Sequence, residues 1–105
     1  MKMNENQREA YYDFVTTYKC IAEYVNELQK RQTEYTQTKG TPEEDIRLRA
    51  LNEVTGNKYT KKELQELREN IAESRVNLIN RLTGVMALVK RDVSENLSKA
   101  NITEI

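Results

Sequence analysis

Arg75 is the residue most open to chemistry. Counted at 100° per residue from Leu64, it falls within about 20° of the centre of an apolar helical stripe. A guanidinium in that position has two uses. It can be buried and held by a carboxylate or a bound anion, or it can lay its methylenes on apolar surface and send its head to water. The first use predicts a small anionic-ligand site built on Arg75. A second set of candidates is basic. Arg47, Arg49, Lys58, Lys61 and Lys62 gather around the junction of two expected helices, where a nucleic-acid-binding regulator would place them. Glu43, Glu44, Asp45 and Glu53 are interleaved with this set and dilute its charge.

Most other chemistry is excluded. The chain has no histidine, which removes imidazole-based triads, imidazole zinc sites and di-iron bundles that need Glu-x-x-His. Cys20, the single cysteine, has no visible activating base and falls about 130° from the centre of its helix's stripe. The three glycines stand apart at 40, 56 and 84, so no phosphate-cradling loop is present. Glu63, Glu66, Glu69 and Glu73 read as the solvated outer row of a helix, with Lys62 and Arg68 beside them. The run Glu43-Glu44-Asp45 reads as a first helical turn, where the helix dipole favours negative charge. No catalytic residue, cofactor site or metal site is expected.

These side chains must be carried by helices. The chain has 105 residues, 32% charged and 37% hydrophobic, with one proline. That balance suits long charge-laced helices in a single helical domain, residues 1–105. Tyr11, Phe14, Tyr18, Ile21, Val25, Leu28, Gln32 and Tyr35 step by three and four in an unbroken heptad register, the spacing of a bundle or coiled-coil seam. This predicts a first helix over about 6–38, closed by Gly40. Thr41-Pro42-Glu43-Glu44 reads as a capping box with proline at the first helical position. It opens a short second helix over about 42–54, with Ile46, Ala50, Leu51 and Val54 inward and Gly56-Asn57 closing it. Thr60-Lys61-Lys62-Glu63 is a second capping box. It opens a long third helix over about 61–97, striped by Leu64, Leu67, Ile71, Leu78, Leu82, Val85, Val89 and Val93. Ser98 to Ile105 lose the period and are expected to fray.

The expected fold class is therefore all-α: two long helices joined by a short one, as a helical hairpin or bundle completed by self-association. Positive and negative charges balance at 17 each, and neither end is a basic arm or an acidic tail. This argues against nucleic acid and anionic lipid as partners. No window is apolar enough to span a bilayer and no signal-peptide pattern is visible, so the expected location is cytoplasmic. Six tyrosines are present. Tyr12 and Tyr24 project off the heptad seam and suit a protein interface. Leu82, Val85, Met86, Leu88 and Val89 spread over a wider arc than one neighbouring helix covers, and Gly84 on the far side would admit a further helix. The function that follows is a non-enzymatic protein-protein interaction module, an adaptor, inhibitor or assembly subunit. Its expected partners are a second copy of itself and another protein, met through Leu82, Val85, Met86, Leu88, Val89, Tyr12 and Tyr24.

Overall fold

A computed structural model describes residues 1–102. Three helices account for nearly all of them: α1 (Glu5–Thr38), α2 (Glu43–Thr55) and α3 (Lys61–Lys99). No strand occurs among the described residues, and the fold is all-α. The chain divides into two compact units, each holding part of α1 and part of α3.

The helix ends are set by local hydrogen bonding. At Thr60 the anticipated capping box forms: the Glu63 N–H donates to Thr60 Oγ1 at 3.2 Å, and the Thr60 N–H donates to Glu63 Oε1 at 3.3 Å. Asn4 and Gln7 make the same reciprocal pair at the start of α1, at 2.8 and 3.0 Å, with amides in the roles that hydroxyl and carboxylate usually fill. The Thr41–Glu44 capping box does not form. Thr41 Oγ1 donates to the Thr38 carbonyl at 2.7 Å, and no side chain caps α2. Gly40 and Gly56 both take left-handed backbone, φ 72° and 70°, as expected of residues that follow a last helical turn.

The end of α3 differs from the expected fraying. Asn101 has φ 57°. Its N–H bonds the Ser98 carbonyl at 3.0 Å, and the Ile102 N–H bonds the Leu97 carbonyl at 2.9 Å. This is a Schellman cap with asparagine in the left-handed position. Ile102 and Leu97, the two positions of that cap's usual apolar contact, both line one groove. Residues 103–105 of that stretch lie outside the described residues.

In the first unit, residues 1–27 with 80–102, the α1 seam is aromatic. Phe14 lies 5.8 Å from Tyr18 and 6.5 Å from Tyr11, centroid to centroid. Val93 and Leu97 of α3 face Tyr11 and Phe14 across an open apolar groove of about 340 Å³. The beginning of α1 thus lies beside the end of α3, and the pair is antiparallel. Met3, before the first turn, is buried.

In the second unit, Leu28–Ile79, the ties between helices are polar. Arg75 on α3 donates to Gln32 on α1 at 2.9 Å, and Arg68 on α3 donates to Thr38 near the end of α1 at 2.6 Å. These two contacts make the pairing antiparallel here as well. Asn52 on α2 clasps the next connection. It accepts from the Tyr59 N–H at 2.8 Å and donates to the Tyr59 carbonyl at 3.2 Å.

The inward faces agree with the sequence for α1 and depart from it for α2 and α3. All eight heptad positions of α1 are buried or half-buried. On α3, Leu64 and Val93 turn inward, but Leu67, Ile71, Leu78 and Val85 are exposed. Arg68, Ala72, Arg75 and Ile79 occupy the inward positions instead. On α2, Ile46 is 54% and Val54 87% exposed, and Ala50 is also exposed. Glu44, Arg47, Leu48 and Leu51 face in. The cause is the same on both helices. Arginine and glutamate that satisfy one another can occupy inner positions, and the apolar residues beside them are then turned outward.

Candidate functional site

The polar centre of the second unit is Glu44. It is 1% exposed, although its place in an acidic run suggested a solvated first turn. Its Oε1 accepts from the Gly40 N–H at 2.7 Å and from Gln65 Nε2 at 3.3 Å, and its Oε2 accepts from Arg68 Nη1 at 3.0 Å. Gly40 makes the first of these possible, since its left-handed backbone brings the N–H round to the carboxylate. Burial works against ionisation of Glu44. The Gly40 N–H, Gln65 and the Arg68 charge outweigh it, and the carboxyl sits below the usual glutamate range. Arg68 is itself largely covered, and its guanidinium lies 5.1 Å from the centroid of the Tyr35 ring.

Beside this pair lies a small pocket of about 130 Å³, lined by Arg31, Glu34, Tyr35, Arg47, Arg68, Ile71 and Arg75. Four guanidinium groups face one carboxylate. Glu34 is hydrogen-bonded by Arg47. That bond, then the Arg47 charge, hold its carboxyl below the ordinary value, with lesser help from Arg31 and Arg68. Arg47 Nε is buried without a hydrogen-bond partner. The arginine singled out in the sequence is thus half-buried and tied to Gln32, and it is one of four. The other three stand too far away in sequence, or too far off the apolar stripe, for periodicity to collect them.

Of the basic set proposed for nucleic acid, Arg47 is engaged by Glu34, and Lys61 lies 3.4 Å from Asp45. Arg49, Lys58 and Lys62 are exposed. Cys20 is a free, exposed thiol. No cluster of three potential metal ligands occurs among the described residues, and no described helix is long and apolar enough to cross a membrane.

The residues expected to meet a partner all lie in the first unit. Tyr12 is 54% exposed and Tyr24 52%. On α3, Val85, Leu88 and Val89 are exposed, whereas Leu82 and Met86 are half-buried. Val85, Leu88 and Val89 are spaced i, i+3 and i+4, which places them on one helix face. Nothing lies within 4 Å of a side chain built at Gly84, so that position is open.

No protein family, no curated protein and no solved structure matches this chain.

Proposed function

We propose that the protein is a non-enzymatic helical interaction module of the cytoplasm that pairs with a second copy of itself through the outer face of α3 around Val85, Leu88 and Val89. The carrying observation is that these three large apolar side chains stand exposed together on one face. The core is small: Met3, Val25, Leu64 and Ala72 are its buried apolar members among the described residues. A chain with so little interior gains most from covering exposed apolar surface by association. Tyr12 and Tyr24 extend the exposed apolar area of the same unit and supply contact area for a further protein partner.

The test is a paired substitution, Val85→Glu with Leu88→Glu. Both side chains are exposed, so the helix tolerates the change. Static light scattering should give an oligomer for the parent and a monomer for the variant, with the helical circular-dichroism signal retained. A parent that scatters as a monomer at tens of micromolar, or a variant that stays oligomeric, would overturn the proposal.

A further inference from the structure

We infer that the four-arginine pocket of the second unit binds a phosphate-class dianion, either free or as the phosphoryl group of a small molecule. This does not depend on self-association, because every residue lining the pocket belongs to Leu28–Ile79.

Charge makes the first argument. Arg31, Arg47, Arg68 and Arg75 converge on one small space with only Glu34 among them. Counting Glu44, which engages Arg68 from outside the pocket lining, four positive charges are answered by two negative ones. Like charges at this spacing repel, and an anion of charge two offsets them.

Donor accounting makes the second. Each guanidinium carries five N–H donors. Arg47 gives one to Glu34, Arg75 one to Gln32, and Arg68 one each to Glu44 and Thr38. Arg31 makes no hydrogen bond or ion pair among the described residues. Arg47 Nε is buried, so the donors open to a ligand are those on the terminal nitrogens. Most of the fork is unspent, and planar guanidinium forks match the paired oxygens of phosphate.

Size makes the third. A space of about 130 Å³ admits one compact tetrahedral oxyanion. The Tyr35 ring and Ile71 supply the rest of the wall.

The experiment is calorimetric titration of the full chain with inorganic phosphate and, separately, with O-phosphoserine, at constant ionic strength in chloride. Citrate serves as the competing anion. Arg31→Gln removes an arginine that holds no hydrogen bond, only a weak charge interaction with Glu34, and Arg75→Gln removes one tied to Gln32. Each should weaken binding about tenfold or more, the usual consequence of losing a charged hydrogen bond. Arg81→Gln removes the same charge from an exposed site outside the pocket and should leave binding unchanged. Binding of both probes assigns the pocket to the phosphoryl group itself. Binding of phosphoserine alone assigns it to phosphorylated small molecules. Absence of binding by both, preference for citrate, or equal weakening by Arg81→Gln would overturn the assignment. Circular dichroism of each variant separates lost binding from lost fold.

Discussion

The two units solve the same problem, pairing α1 with α3, by different means. In residues 1–27 and 80–102 the seam is a run of aromatic rings, Tyr11, Phe14 and Tyr18, facing Val93 and Leu97 across an open groove. In Leu28–Ile79 the seam carries directed bonds, Arg75 on Gln32 and Arg68 on Thr38, and α2 is tied to it by Arg68 on Glu44 and Arg47 on Glu34. Apolar contact is non-directional and tolerates a partner's surface as readily as the chain's own. Hydrogen-bonded ion pairs are directional and costly to leave half-made. Both units leave large apolar side chains exposed, Leu67, Ile71 and Leu78 in the polar one and Tyr12, Val85 and Leu88 in the aromatic one. The difference lies in the seam, where the polar unit gathers charge.

Breaking the polar unit should have the largest effect. Glu44→Gln keeps the shape of the side chain but leaves the largely covered Arg68 without its counter-charge. Loss of one member of a buried pair costs about 3 kcal/mol or more, and urea denaturation of the variant should show a drop of that size. Among the described residues of the aromatic unit no charged side chain is buried, so no one polar substitution there should match it.

Acid should act on the same contrast more gently. The carboxyls of Glu44 and Glu34 both sit below their ordinary value in the folded chain. A lowered folded pKa means the stabilisation is complete above the unfolded value, about 4.3. It is lost as pH falls below that value and through the folded one. The parent should therefore lose stability on acidification from pH 5 toward pH 3 (in units set by those ordinary values), and Glu44→Gln should lose less over the same range. A variant as acid-sensitive as the parent would remove Glu44 from this role.

The contrast also explains what could be read from the sequence. The α1 heptad was fully legible because its inward residues are mostly apolar or aromatic and keep one register. The Thr60–Glu63 cap and the left-handed glycines at 40 and 56 were legible because each is a local event of a few residues. The inner face of α3 was not. Arg75 fell on the stripe by period, but Arg68 points inward because Glu44 and Thr38 await it from other helices, and no single-helix period contains that information. Weighting by apolarity therefore rotated the stripe toward Leu67, Ile71, Leu78 and Val85. Glu44 misled for a related reason. A glutamate three residues after a threonine and next to other acids satisfies the local rule for a helix start, yet its carboxylate is claimed by Gly40, Gln65 and Arg68. Asn4 with Gln7 and Asn101 with Ile102 were local signals that could have been found, the first as an amide version of the capping box and the second as asparagine in a glycine's place. The arginine pocket needed three helices in place before its members met.

Hydrogen exchange followed by mass spectrometry as the protein is diluted from hundred-micromolar to micromolar concentration tests the central claim most directly, because mass action dissociates a dimer without altering the chain. Amides around Val85–Val89 should exchange faster on dilution, while those around Glu44–Leu48 keep their rate. Equal exchange at Val85–Val89 across the whole concentration range would contradict it.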